Sequence, residues 1–187
     1  GVNCLCTALN LSKLSILGVK QGDTQLTAFS IMVALLFFLT SLAKPLDTLS
    51  KKRPASSVLC LPALLTIAVQ FIIHACAILA ATDIGKPFLD PDNPSITPDG
   101  PFIPTPLNTA TFLVYLCVTI NAFTVNYAGN PHMQSLRENV WLFRGLCLSY
   151  CVVAIAAFEI FPPLNFALQL SDMPIGAEGY DGVFRDG

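Results

Sequence analysis

The chain has 187 residues, 53% of them hydrophobic and only 12% charged, with 10 basic side chains against 12 acidic ones and a net charge of −2. Soluble domains run nearer a quarter charged, and a nucleic-acid binder carries a basic excess. This composition, with a mean hydropathy of +0.64, excludes a nucleic-acid partner and points to lipid as the solvent.

Residues 1–12, GVNCLCTALNLS, read as the later part of an apolar helix too short to cross a bilayer alone. Gly1 stands where Met would begin a chain, and no basic stretch precedes an apolar core as in a signal peptide. The expectation is therefore a piece of a longer reading frame. A polar link at 13–24 turns at Gly18, Gly22 and Asp23.

Three long apolar stretches follow, 26–43, 55–82 and 105–128, without one Lys, Arg, Asp or Glu. Each is as long as a helix needs to be to cross the hydrocarbon core, and none offers the charged face that a soluble helix turns to water. The predicted spans are 25–43, 56–82 and 108–128. A basic link, 44–55, closes with Pro54, and Pro62 falls in the first two turns of the helix beyond it. Residues 83–107 hold seven prolines and four aspartates; proline removes a backbone donor and disfavours helix at the residue before it. That segment reads as an extended loop outside the membrane. After a link at 129–139, a fifth apolar helix is expected over 140–161, ended by Pro162–Pro163, with a polar tail at 162–187. The fold class is all-α integral membrane, a polytopic helical bundle.

Loop charge sets orientation. Links 44–53 and 129–144 carry Lys44, Lys51, Lys52, Arg53, Arg137 and Arg144, whereas the opposite side carries Lys13, Lys20, Lys86 and Arg185. The basic bias places the first set in the cytosol.

Five polar residues adjoin or enter the apolar spans: Gln70, His74, Asn121, Asn126 and Glu159. Gln70 and His74, four apart, share one helix face. A polar group in hydrocarbon needs a partner, so each of these is a candidate either for a cargo or ion path or for a hydrogen bond between helices, worth roughly 0.6 to 2 kcal/mol. Packing is the favoured reading for Gln70, His74, Asn121 and Asn126. Glu159 is an intramembrane carboxylate by sequence, but it lies beside Ile-Phe-Pro-Pro and the membrane interface is its simpler home. Trp141 and Arg144 read as an interfacial aromatic and a snorkelling base.

Nothing points to catalysis or metal. No G-x-x-x-x-G-K-[ST], H-E-x-x-H or G-x-S-x-G occurs. The pairs Cys4/Cys6 and Cys147/Cys151 lack a neighbouring His or acid and make a weak metal set. The seven cysteines read as small buried hydrophobes.

Four segments, in order, resemble the C-terminal membrane region of the type V P-type ATPases, subclass A, pumps of the endoplasmic reticulum. KPLDTLSKKRP (44–54) is similar to the link after that family's sixth membrane helix, and QFIIH (70–74) to its Gln-Phe-x-x-His in the seventh. TVNYAGNPHMQSLREN (124–139) resembles the stretch after the eighth, and FPPLNFALQLSDMP (161–174) the loop before the tenth. The match covers roughly residues 10 to 174; the Pro/Asp loop is longer than the family's, and the sequence after Pro174 departs from it.

The resemblance implies that 1–12 is the end of the fifth membrane helix and that the four full spans are the sixth to ninth. The basic links would be cytosolic, and 13–24, 83–107 and 162–187 lumenal. It implies a parent enzyme using ATP and Mg²⁺ through Asp-Lys-Thr-Gly-Thr, a motif this chain lacks, so the chain alone binds no cofactor and is not itself an enzyme. It implies as partners the lipid bilayer, the rest of the ATPase chain and a transmembrane-segment cargo, with 26–43 lining one wall of a pocket open to lipid. The competing expectation is a stand-alone, motorless membrane protein with a binding or assembly role; a small channel ranks third, since only Gln70 and His74 form even a short polar stripe.

Overall fold

The computed structural model describes residues 1–47, 51, 60–89 and 100–172. The central part of the Pro/Asp loop, most of the basic link and the tail from 173 onward lie outside the described residues.

The described chain is helical: α1 (Val2–Ile16), α2 (Asp23–Ser41), α3 (Leu61–Gly85), α4 (Pro106–Asn126), α5 (Val140–Ala157) and α6 (Pro162–Ala167), with one 3-10 turn at Lys86–Phe88. Among the described residues, four helices are long and apolar enough to span a bilayer: α2, α3 together with the turn after it, α4 and α5. The shortest, α5, has 18 residues and is about 27 Å long at 1.5 Å per residue. The apolar side chains left at the surface are large, Ile72, Ile73 and Trp141 among them, each about 60% exposed. They face the solvent that composition implied, and the protein is an integral, multi-pass membrane protein.

Local chemistry sets the helix ends. α1 runs beyond residue 12 to Ile16, because its stop is Gly18, at φ 72, in a turn where the Val19 and Gly18 amides donate to the carbonyls of Leu14 and Ser15. α3 begins at Leu61 with Pro62 in its first turn, where a missing N–H is harmless. Thr105 caps α4, its hydroxyl accepting the Asn108 amide at 3.1 Å, and Pro106 opens that helix. α5 stops at Ala157, short of the expected 161. Glu159 there takes the left-handed conformation, φ 53, while the Ile160 amide donates to the Ile155 carbonyl. Pro162–Pro163 then starts α6 instead of merely ending α5.

α4 is the hub. Of its span, 61% of residues are buried, against 17% for α2 and for α3. α1 and α3 pack on one side of it, α2 and α5 on the other. Leu36, Leu39, Phe112, Leu116, Ile120, Leu142 and Leu146 form the larger core between α2, α4 and α5. Val2, Cys6, Ile78, Tyr115 and Val118 form the smaller one between α1, α3 and α4. Two close approaches depend on glycine. A Cβ on Gly85 would meet the Leu107 Cα at 2.7 Å, and one on Gly145 would meet the Leu39 Cδ1 at 2.3 Å, the small-residue contact by which membrane helices associate.

Candidate functional site

At the end of the bundle formed by the two basic links, the motifs 44–47 and 127–139 lie against each other. The Gln134 amide donates to the Lys44 carbonyl at 3.0 Å, and the Leu46 amide to the His132 carbonyl at 3.3 Å, with Pro45 and Met133 bridged antiparallel. Tyr127, just after α4, donates its hydroxyl to the Gln134 carbonyl at 3.0 Å. Gly129 is tightly enclosed: a Cβ there would stand 2.1 Å from the Gln134 carbonyl oxygen. Asn139, 3% exposed, joins two helices. Its Oδ1 accepts the Leu142 amide at 3.2 Å and so caps α5, while its Nδ2 donates to the Leu39 carbonyl in the last turn of α2 at 3.3 Å. Ser135 donates both its amide and its hydroxyl to Glu138, at 2.7 and 2.8 Å, and these bonds hold the Glu138 carboxyl below its ordinary pKa.

Just inside the membrane from this clamp, Gln70 of α3 and Asn126 of α4 exchange hydrogen bonds. The Asn126 Nδ2 donates to the Gln70 Oε1 at 2.9 Å, and the Gln70 Nε2 to the Asn126 Oδ1 at 3.3 Å. His74, one turn deeper on α3, is buried, and its Nδ1 meets no hydrogen-bond partner among the described residues. Asn121 lies on a different face of α4 and accepts the Tyr150 hydroxyl of α5 at 2.5 Å. Glu159 sits half-buried in the turn at the opposite end of the bundle. The five polar candidates thus do not converge. One pair forms, its neighbour His74 lies alongside, and the other two are elsewhere. Among the described residues no group of three His, Cys, Asp or Glu side chains gathers as a metal site would.

Several polar residues emerge only in three dimensions. At the loop end Gln25, fully buried, donates to Asn108 at 2.8 Å, and Asn108 donates to the Lys20 carbonyl at 2.9 Å. Thr24 and Gln25 also reach Gln169 beyond α6, the Ser171 amide donates to Thr109, and Lys20 donates to the Gly100 carbonyl. The Thr7 and Tyr115 hydroxyls share a hydrogen bond between α1 and α4. Asn10 is 1% exposed, and neither of its side-chain polar atoms is hydrogen-bonded among the described residues. The Thr-Pro pair at 105–106 and the Asn at 139 before an apolar run are readable cap signals; Gln25, Thr7 and Asn10 carry no such local mark.

Between α1 and α2, consecutive helices that share no extended packing, a cleft of about 580 Å³ opens at the link end. α4 and Ile67 of α3 form its floor, Gly1 to Cys4 stand along its α1 side, and among the described residues no charged side chain lines it. A shallower hollow lies on the outer face of α2, along Leu26, Thr27, Ser30, Ile31 and Ala34.

No family model matches the chain. Over 176 residues, 94% of its length, it is 35% identical to the probable manganese-transporting ATPase PDR2 of Arabidopsis thaliana. It is 37% identical over 173 residues to an endoplasmic reticulum transmembrane helix translocase of Schizosaccharomyces pombe, and 34% identical over 173 residues to one of Saccharomyces cerevisiae. Those matches cover 92% of the chain in both yeasts. The chain spans 15% of the plant relative and 14% of each yeast relative. The similarity is to one membrane stretch of type V, subclass A P-type ATPases, the kind that the four motifs resemble.

Proposed function

We propose that this chain forms the end of the fifth membrane helix and the sixth to ninth helices of an ATP-driven translocase in the endoplasmic reticulum membrane. α1 supplies the first of these and α2 to α5 the rest. The observation that carries the reading is similarity along more than nine-tenths of the chain to relatives that include two transmembrane helix translocases. ATP and Mg²⁺ act on the parts of such a protein that this chain does not contain, and this chain contributes scaffold and cargo surface.

The division of labour follows the polar ties between helices. Gln70–Asn126 ties α3 to α4, and Asn121–Tyr150 ties α4 to α5, so that these three helices make the scaffold. α2 is anchored at both ends, by Gln25 and by the Leu39 carbonyl, while its middle leaves one face open with small residues Thr27, Ser30 and Ala34 along a hollow. A helix face of small residues admits the close approach of another helix in lipid. It is the wall on which an extracted transmembrane segment would rest. The links 44–55 and 129–139 face the cytosol and the loop 83–107 the lumen, in line with loop charge. Gln70, His74, Asn121 and Asn126 serve packing, and Glu159 serves its turn.

A chimera tests this. Residues 1–172 replace the matched stretch of the Saccharomyces cerevisiae translocase, and the cell is assayed for clearance of a mistargeted tail-anchored protein from the endoplasmic reticulum. Restored clearance is expected. A chimera that inserts, reaches normal levels and retains phosphorylation by ATP, yet leaves the mistargeted protein in place, would overturn the assignment.

A further inference from the structure

The unpartnered polar atoms of this fold are not spread evenly. Among the described residues, seven enclosed side-chain nitrogen or oxygen atoms meet no hydrogen-bond partner, and four of them belong to Asn10 of α1, His74 of α3 and Thr119 of α4. In the larger core, between α2, α4 and α5, none occurs among the described residues. None of the three residues is more than 7% exposed, so a helix laid against the outside of the bundle would not reach these atoms.

Helix register brings them to two levels. α1 and α3 both run antiparallel to α4: Gln70 bonds Asn126, Ile78 packs with Tyr115 and Val118, and a Cβ on Gly85 would meet Leu107. His74, between Gln70 and Ile78, is therefore level with Thr119, which shares a face of α4 with Tyr115 and Asn126. Asn10 lies one turn from Thr7, which bonds Tyr115, and one turn from Leu14, which packs on Leu107. That places it level with Thr111 of α4 and, one turn beyond Ile78, with Thr82 of α3. The Thr111 and Thr82 hydroxyls donate to the carbonyls of Leu107 and Ile78, at 2.8 and 2.9 Å, and keep oxygen lone pairs with which to accept.

An enclosed polar group without a partner is costly to keep in a fold. Buried water is the usual remedy, each molecule making about three hydrogen bonds to such groups. At one level Asn10 offers a donor and an acceptor, and Thr111 and Thr82 offer further acceptors. At the other, Thr119 offers a hydroxyl and His74 a ring nitrogen. The facing stretches 1–12, 61–82 and 106–126 contain no charged side chain. An ion would find no counter-charge there; a small neutral ligand fits.

We infer that the interface of α1, α3 and α4 binds ordered water at two levels, around Asn10 and between His74 and Thr119. This water links the three helices at those levels, while the core between α2, α4 and α5 is dry.

The test is hydroxyl-radical footprinting with X-ray pulses on the unaltered protein in nanodiscs of its own membrane, because radicals formed from bound water oxidise the side chains beside it. Two matched pairs carry the readout. Ile78 and Ile120 are both 0% exposed, and Val118 and Val153 are 3% and 6% exposed. The first of each pair belongs to the core of α1, α3 and α4, the second to the core of α2, α4 and α5. Ile78 and Val118 should be oxidised several times faster than Ile120 and Val153. Asn10→Leu combined with Thr119→Val removes polar groups at nearly constant volume and should bring the rates within each pair together. Equal rates within each pair in the unaltered protein would overturn the proposal, as would a faster Ile78 and Val118 that the double substitution leaves unchanged. If that variant does not fold, the matched comparison in the unaltered protein decides. None of these readouts depends on ATP hydrolysis or cargo extraction, so failure here leaves the translocase reading standing, and the reverse.

Discussion

Replacing Asn139 by alanine should do more damage than a link residue usually does. Asn139 is 3% exposed and serves two helices at once, capping α5 through Leu142 and holding the last turn of α2 through the Leu39 carbonyl. Loss of an Asn cap costs about 1 kcal/mol. Leaving the Leu39 carbonyl without its donor adds about 1–3 kcal/mol, toward the lower end where interfacial water reaches it. Asn139→Ala should therefore destabilise the bundle by about 2–3 kcal/mol. Asn139→Ser keeps the cap and loses the reach to α2, so it should lose only about 1 kcal/mol. The assay is reversible SDS unfolding of the purified full chain in mixed micelles, followed by the emission of Trp141, two residues from the substituted site. Stability should fall from parent to Ser to Ala. Equal losses for Ser and Ala, or a loss for Ala within about 0.5 kcal/mol of zero, the range of an ordinary surface change, would refute the double role.

A double-mutant cycle on Gln70→Leu and Asn126→Leu should return a coupling of about 0.6–1.7 kcal/mol with transport retained in a restored pump; lost transport at normal protein levels would make the pair functional. Glu159→Val should destabilise by about 1–2 kcal/mol, because a β-branched residue is strained at φ 53, while Glu159→Gly should keep both fold and transport. Transport lost in Glu159→Gly at normal stability would show that the carboxylate itself is used. Glu138 has a native pKa depressed below its usual 4.5 by the two Ser135 bonds, so its stabilising effect is present above that value and disappears as pH falls through the lower native one. Melting temperatures of parent and Glu138→Gln between pH 7 and 3 should differ most at neutral pH and converge in acid; a constant gap would show that the Ser135 bonds do not depend on ionisation.

The spans were legible because the signal is the scarcity of charge over a bilayer's thickness: α2 to α4 lie on the charge-free stretches, and α5 carries only Arg144, near its start. Their mutual packing was not. Helices that are apolar all round give no stripe to say which face meets a neighbour, and lipid rewards burial of leucine no more than exposure. What selects the faces here is close approach at Gly85 and Gly145 together with polar pairs, features visible in the sequence only as isolated letters. Gln70 and Asn126 were each recognisable as needing a partner, but nothing local says that they are partners of each other. Likewise 44–54 and 124–139 stood out as separate motifs; that Lys44 and Leu46 pair with Gln134 and His132 is a long-range fact. The ends of α1 and α5 moved by a turn because left-handed residues stop helices, and Glu159, unlike Gly18, does not advertise that conformation.

The hub position of α4 bears on how the protein is made. Of the four candidate spans, it is the least apolar and the most enclosed, with Thr109, Thr111, Thr119 and Asn108 all sealed inside. Its partition from the translocation channel into lipid is correspondingly the least favourable, since its hydroxyls and amide find shelter against the other helices instead of in acyl chains. α1, α2 and α3 emerge earlier, so the ribosome delivers most of that shelter before α4 arrives; α5 completes it. Biogenesis of this bundle should hinge on α4, and substitutions that loosen its neighbours would be felt first as a helix left behind in the channel.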